Sequence, residues 1–306
     1  MTDESFASPL AVAHPSRWTA VDFRPLSLDP RIEALADEME FEIWRIVTLL
    51  PPSLASEAAR VLSGYPGTGR RFIDLFYRPV WSVLHWLEED AAVRAAAVRV
   101  HALALLLHLW DDHLCDGQLP IDIARLHFRS LAWREMEAAL PPDGSTAENL
   151  WALLATYLEA IHAPEPAGSL EAHLERFERQ MAIWRAAPRM LAARRGARVA
   201  ALLDEALQHF CVAWRLIDDI QDIEEDRATG QDNCVRLALS GPAAARWDAS
   251  RGVAPQALPA GVDGALPDAV ETILRRAREA LRQARAKAAE AGLTDWADEI
   301  DRARGF

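Results

Sequence analysis

The chain has 306 residues, 51% of them hydrophobic, so it can bury a substantial core in one large domain or two ordinary ones. Its formal net charge of −13 disfavours nucleic acid and anionic membrane surfaces as partners. Lys287 is the single lysine in the sequence, which leaves no lysine for a Walker-type phosphate loop, and three cysteines without a CxxC pair predict no disulfide framework.

Nothing in the sequence predicts export or membrane insertion. The first ten residues, MTDESFASPL, lack the basic and apolar regions of a signal peptide. The most apolar stretch, HALALLLHLW, has about half the length that spans a bilayer. We therefore expect a cytoplasmic protein without stable membrane insertion.

In chain order, residues 1–29 carry proline and serine without a period and are predicted to form a flexible arm. From there, apolar residues recur at three-and-four spacing, which predicts a single all-α domain over 30–306. The predicted helices are 30–49, 53–63, 68–88, 91–116, 121–140, 146–163, 168–187, 197–227 and 267–291. The interval 241–266 is predicted to be a long loop or lid.

A first acidic motif, WDDHLCDG, closes the apolar helix predicted over 91–116. Asp112 and Asp116 are four residues apart and share one helical face, with Asp111 about 100° to one side. Carboxylates at a helix C-terminus oppose the helix dipole, so stability does not explain them. They therefore indicate a functional site.

The second acidic motif, IDDIQDIEEDRATGQDN, follows the apolar run FCVAWRL. With Asp218 at zero on a continuous helix, Asp222 lies at about 40°, Asp226 at about 80° and Asp219 at about 100°. Crowded carboxylates raise one another's pKa unless cations neutralise them, and oxygen ligands suit Mg²⁺. A solvated acidic surface is the alternative, which the apolar residues upstream of both motifs disfavour.

The two motifs resemble the aspartate-rich motifs of class I isoprenoid synthases. The second is closest to the DDxxD forms of prenyltransferases and of the bacterial large-terpene-synthase branch. The resemblance covers residues 60–240 and implies a helical bundle around a central cavity. It also implies a prenyl diphosphate substrate, three Mg²⁺ ions with Mn²⁺ as an alternative, and a homodimer, a common state in this family.

Carried over by motif, the implied catalytic residues are Asp112, Asp116, Asp218, Asp219 and Asp222. The implied metal ligands are these five together with Asp111 and Asp226. The first motif reads D-D-x-x-x-D, one residue longer than DDxxD. Asp111 is therefore either a direct ligand or a supporting residue outside the metal shell.

Two further sets of residues complete the predicted site. The candidate diphosphate ligands are Arg176, Arg179, Arg215 and Arg227, with surface ion pairs as the alternative for the first two. A carbocation needs an apolar, aromatic wall. The candidate cavity aromatics are Phe76, Tyr77, Trp81, Trp110, Trp184 and Trp214, with core packing as the alternative for each.

These observations favour a class I terpene synthase that ionises a linear prenyl diphosphate and cyclises the product or eliminates a proton. A prenyltransferase is the alternative within the same fold. It is disfavoured because GTGRRFID (67–74) has Arg where chain elongators carry Lys, and because no arginine pair follows the first motif. A non-catalytic helical binding protein is the third alternative, and the aspartates retained in both motifs argue against it.

Overall fold

The computed structural model describes residues 29–65, 71–87, 90–141, 144–162, 168–250 and 264–302. Fourteen α-helices form within these ranges, and no β-strand occurs there. The protein is therefore all-α, as predicted. The predicted arm lies outside the described residues except for Asp29, which caps the first helix by accepting a hydrogen bond from the Arg31 backbone N–H at 2.9 Å.

The helices follow one another with short connections. They are α1 (Pro30–Thr48), α2 (Pro52–Gly64), α3 (Arg78–Trp86), α4 (Ala91–Cys115), α5 (Ile123–Ala138), α6 (Gly144–Ile161), α7 (Leu170–Gln180), α8 (Ala186–Ala193), α9 (Ala197–Gln221), α10 (Ile223–Thr229), α11 (Cys234–Ala238), α12 (Gly241–Ala249), α13 (Leu266–Glu290) and α14 (Thr294–Arg302). Two 3-10 helices, Phe72–Leu75 and Met181–Arg185, precede α3 and α8.

The core is built around two long helices that carry the acidic motifs at their C-terminal ends. Helix α4 packs against α1, α5 and α8, and α9 packs along α13. Among the described residues α4 alone is long and apolar enough to cross a membrane by length and composition, and 61% of its most apolar window is buried inside the protein. That burial is what the central helix of a bundle shows.

Two predicted helices differ from their predicted course near prolines. The predicted helix 68–88 is divided because Phe76 and Tyr77 are extended, and Pro79 lies in the first turn of α3, where it needs no backbone N–H donor. The predicted helix 168–187 continues instead through a 3-10 turn into α8. Pro188 is tolerated there because it is also in a first turn.

The second acidic motif is also interrupted. The predicted helix 197–227 ends at Gln221, and Asp222 has φ −99° and ψ 12° between α9 and α10. The break places Glu224, Glu225 and Asp226 in the first turn of α10, where the helix dipole favours negative charge.

The segment predicted as a loop over 241–266 differs from that prediction in its first part. Helix α12 occupies Gly241–Ala249 and is anchored by Trp247, which is fully buried. The prediction missed this helix because the segment shows little amphipathic periodicity. The rest of the predicted lid, 251–263, lies outside the described residues.

Candidate active site

The two acidic motifs meet at one end of the bundle. Gln231, just beyond α10, donates from Nε2 to Oδ2 of Asp116 at the end of α4, at 3.2 Å. The negative charge of Asp218 on α9 also raises the pKa of Asp112 on α4, which requires the two side chains to lie near each other. The structure thus brings the C-terminal ends of α4 and α9 together, as the sequence predicted.

Arg215 provides positive charge between the motifs. Its Nε lies 2.7 Å from Oδ1 of Asp219, and its Nη1 lies 3.6 Å from Oδ2 of Asp218. The guanidinium carbon sits 5.2 Å from the centre of the Phe177 ring. Desolvation lowers the pKa of Arg215, but the surrounding aspartates raise it further, so the group stays charged.

The remaining carboxylates are crowded beyond what one arginine neutralises. Desolvation and the charge of Asp116 raise the pKa of Asp112 to about 7. Desolvation and the charges of Asp218 and Asp226 raise the pKa of Asp222 to about 9, and that of Asp226 rises to about 8, chiefly by desolvation. Carboxyl pKa values raised in this way indicate that the carboxylates lack enough nearby cations to neutralise them.

Asp219 is held by contacts within the protein. It is 1% exposed, and its Oδ2 accepts the Cys234 backbone N–H at 2.6 Å and lies 3.0 Å from His173 Nε2. Its Oδ1 faces Arg215. Both oxygens are therefore engaged within the protein. These contacts tie α9 to α7 and α11, and metal ligation by Asp219 stays a prediction.

Asp111 is engaged in the same manner on α4. Arg129 donates from Nε and Nη2 to its two oxygens, each at 2.8 Å, and Tyr157 donates its hydroxyl to Oδ2 at 2.8 Å. The side chain is buried at 8% exposure. This favours the alternative in which Asp111 supports the first motif from outside the metal shell.

Asp226 is held by Asn233, the residue that caps α11. The Asn233 amide donates to Oδ2 of Asp226 at 2.7 Å and to the Asp219 carbonyl at 2.6 Å. Asn233 is fully buried, and its own oxygen accepts the Val235 backbone N–H at 2.8 Å. The amide thereby fixes Asp226 relative to the helix break.

The donor set fits a hard divalent cation in chemistry. Asp112, Asp116, Asp218 and Asp222 offer carboxylate oxygens from both motifs, and oxygen ligands are what Mg²⁺ prefers. Among the described residues, no group of three or more His, Cys, Asp or Glu side chains is already arranged around a common metal position. Like charges repel, so these carboxylates need a cation between them to draw closer.

The four candidate diphosphate arginines have different partners. Arg215 and Arg176 adjoin the acidic motifs, and Arg176 Nη2 lies 2.6 Å from Oδ2 of Asp232, which directly follows Gln231. Arg179 forms an exposed ion pair with Glu159 at 2.9 Å, in agreement with the surface alternative. Arg227 is 2% exposed and donates to the Ser250 carbonyl at 3.4 Å, at the end of α12.

Four of the six predicted aromatic residues form one cluster beside the second motif. Trp184 and Trp214 stack with ring centres 4.7 Å apart, Phe76 meets Trp184 edge-on at 5.6 Å, and Tyr77 meets Trp214 at 4.8 Å. The Tyr77 hydroxyl donates to Gln221 at 3.2 Å, next to Asp222. The cluster therefore adjoins the second motif, and Trp184 within it is buried at 1% exposure.

The other two predicted aromatics lie elsewhere. Trp110 is 2% exposed and packs against Phe128 of α5 with ring centres 4.6 Å apart, as a core residue does. Trp81 is 3% exposed and makes no ring contact with the cluster among the described residues. For both, core packing is the better account.

Several site residues escaped the sequence analysis. Arg129, Tyr157 and His173 come from α5, α6 and α7, and no motif connects them with the aspartates they hold. His108 contacts Trp184 with ring centres 4.9 Å apart, and desolvation lowers its pKa to about 3. Asn233 carried a usable signal, because it ends the acidic motif and precedes a helix at an N-cap position.

The three cysteines differ in exposure. Cys211 and Cys234 are buried, whereas Cys115 is exposed beside Asp116 at the end of α4. This places a single accessible thiol at the rim of the first motif.

The fold has a counterpart of known structure. A polyprenyl synthase from Roseobacter denitrificans superposes with a TM-score of 0.57 and 16% sequence identity, over 89% of this chain and 99% of that one. No family model and no curated protein matches the sequence. The likeness supports an isoprenoid synthase-like fold for this chain.

Proposed function

We propose that the protein is a Mg²⁺-dependent class I terpene synthase that acts on a linear prenyl diphosphate. The observation that carries the proposal is the meeting of two carboxylate clusters around Arg215, next to an aromatic cluster. The carboxylates suit cations that bind diphosphate, and the aromatic rings suit an apolar prenyl chain and a developing carbocation. The likeness of the fold to a polyprenyl synthase agrees with this chemistry.

The residues of the site would have different roles. Asp112 and Asp116 from α4 and Asp218 and Asp222 from α9 would hold the ions, with Asp226 in support. Bound Mg²⁺ would supply charge stabilisation for the departing diphosphate. Arg215 would add positive charge between the clusters.

The apolar side of the site would be formed by Phe76, Tyr77, Trp184 and Trp214. Their rings would exclude water from the prenyl chain and present π faces to positive charge. Tyr77 and Gln221 connect this wall to the second motif through their 3.2 Å hydrogen bond.

A prenyltransferase is the second candidate, favoured by the likeness of the fold to a polyprenyl synthase. A chain elongator must bind a second diphosphate, for which it needs free cationic donors. Arg71, in the segment where such donors are expected, is instead engaged by Glu33, Asp37 and Asp74 at 2.8 to 3.1 Å. Arg70 lies outside the described residues. Because three carboxylates surround the single guanidinium of Arg71, we favour the single-substrate reaction.

The test is diphosphate release from C10, C15, C20 and C25 prenyl diphosphates, with and without Mg²⁺ and isopentenyl diphosphate. Release that needs Mg²⁺ and a single prenyl diphosphate is the expected result. Release that starts only when isopentenyl diphosphate is added would establish the prenyltransferase instead. No release under any condition would contradict both.

A further inference from the structure

Three consecutive residues between α10 and α11 contact Asp116 of the first motif, Asp226 of the second motif and Arg176 of α7. Gly230 ends α10 with φ 81°, a left-handed conformation suited to glycine, and the chain reverses so that Gln231 and Asp226 are joined by a backbone hydrogen bond of 2.9 Å. We call residues 231–233 the strap. Its three side chains point to three different partners.

Each strap residue contacts a charged side chain of the candidate site. Gln231 donates to Asp116 of the first motif at 3.2 Å, and Asn233 donates to Asp226 of the second motif at 2.7 Å. Between them, Asp232 accepts from Arg176 of α7 at 2.6 Å. Asp232 is therefore an anion paired with an arginine. Its neighbours hold Asp116, a proposed cation ligand, and Asp226, which supports the second motif.

The Arg176–Asp232 pair is partly shielded from solvent, with side-chain exposures of 22% and 14%. A guanidinium binds a carboxylate and a phosphate through the same N–H donors, so the two compete for it. The Asp232 carboxylate thus occupies donors that a bound diphosphate would need.

We propose that Asp232 is an internal substitute for the substrate anion, which holds Arg176 in place and which the diphosphate must displace. This inference rests on the proposed function and names a residue that sets affinity for the anionic ligand. Displacement would also loosen Gln231, which directly precedes Asp232, while Asn233 stays held by its own buried hydrogen bonds. Arg176 would then bind the diphosphate, while Asp116 would turn from Gln231 to the cations.

The test is the affinity for inorganic diphosphate in the presence of Mg²⁺, measured by titration calorimetry on the full chain. Asp232→Asn removes the competing charge and should tighten diphosphate binding about fivefold. Arg176→Ala should weaken binding, and in that background Asp232→Asn should give no gain. Circular dichroism and thermal unfolding would verify that each variant folds.

Two matched controls separate competition from a general change of charge. Glu225→Gln removes one negative charge from an exposed position near Asp222 without touching Arg176. Glu159→Gln removes the partner of the neighbouring Arg179. Neither should reproduce the gain. An equal gain in Glu225→Gln, or a gain that persists without Arg176, would overturn the inference.

The outcomes also separate this inference from the proposed function. A wild-type protein that binds no diphosphate with Mg²⁺ would refute both. A wild-type protein that binds diphosphate, with no tightening in Asp232→Asn, would refute the competition and leave the proposed function intact.

Discussion

The aspartate doublets of the two motifs, Asp111–Asp112 on α4 and Asp218–Asp219 on α9, use their members in opposite order. In the first doublet the leading residue is buried on Arg129 and Tyr157, and the second residue faces the other motif. In the second doublet the leading residue is half-exposed, and the trailing one is buried on Arg215 and His173. Each doublet therefore joins a buried anchor to a more exposed carboxylate that faces the site.

An acidic doublet at a helix end is therefore not automatically a pair of ligands. Adjacent residues on a helix point about 100° apart, so one face of the site cannot accommodate both. The residue directed into the bundle needs a cation from the protein, because a buried carboxylate without a partner is costly. That protein cation then positions the helix end from which the second carboxylate projects.

The largest effect is expected for Asp112 and Asp218, the two doublet carboxylates that face the site. Asp112→Asn and Asp218→Asn should each lower the rate of Mg²⁺-dependent diphosphate release by about 10²–10³-fold, because each removes a charged oxygen donor at the reacting group. Stability in urea should not fall, since the change relieves repulsion. Exposed Glu225→Gln is the control. Undiminished turnover in both aspartate variants would exclude these residues as cation ligands.

The anchors should show the reverse pattern. Asp219→Asn and Asp111→Asn should each lower the free energy of unfolding by about 3–5 kcal/mol, because each leaves an arginine without its buried partner. Urea denaturation would measure this loss. If Asp219→Asn keeps its stability and loses activity, Asp219 is a metal ligand after all, as the sequence predicted.

A smaller effect is expected from pH. In the folded, metal-free protein the pKa values of Asp222 and Asp226 are raised to about 9 and about 8, above the unfolded value of 3.8. The folded state therefore holds more protons than the unfolded state from about pH 4 to 9, and stability falls as pH rises through that window. Mg²⁺ should remove this dependence, because it replaces the protons.

Thermal unfolding at several pH values, with Mg²⁺ and with EDTA, measures this effect. Asp222→Asn in EDTA is the internal control and should flatten the profile. A metal-free protein whose stability rises from pH 7 to 9.5 would show that these carboxylates are not crowded in the folded state.

The smallest effect concerns the aromatic residues that lie next to each doublet. Trp214→Phe should change the product ratio while costing about 1 kcal/mol of stability, because Trp214 belongs to the cluster beside the second motif. Trp110→Phe should cost a similar amount and leave the product ratio unchanged. Gas chromatography of the products and urea denaturation would separate the two roles. An altered product ratio in the Trp110 variant would place that residue in the substrate wall.

Much of the fold could be predicted because amphipathic spacing encodes it directly. Helices α1, α4 and α13 lie within a residue or two of their predicted bounds. The breaks at Phe76 and Asp222 could not be predicted from the spacing of apolar residues. A proline or acidic residues favour the first turn of a helix, but the sequence does not show at which residue that helix begins. Helix α12 was missed because its burial comes from one tryptophan.

The candidate site was predictable in its parts and not in its connections. The sequence indicated which carboxylates are present, and the structure places both motifs together. The sequence could not indicate which aspartate in each doublet is an anchor, because Arg129 and His173 are distant in the chain from the residues that they hold. Cation binding, the homodimer and the cytoplasmic location stay predictions.

The exposure of Cys115 has a practical consequence. With Cys211 and Cys234 buried, a maleimide fluorophore should attach to the native chain at one position, adjacent to Asp116. Such a label would sense changes at the first motif from the outside, without any engineered substitution. The protein thus carries its own attachment point for a real-time optical reporter of ligand arrival.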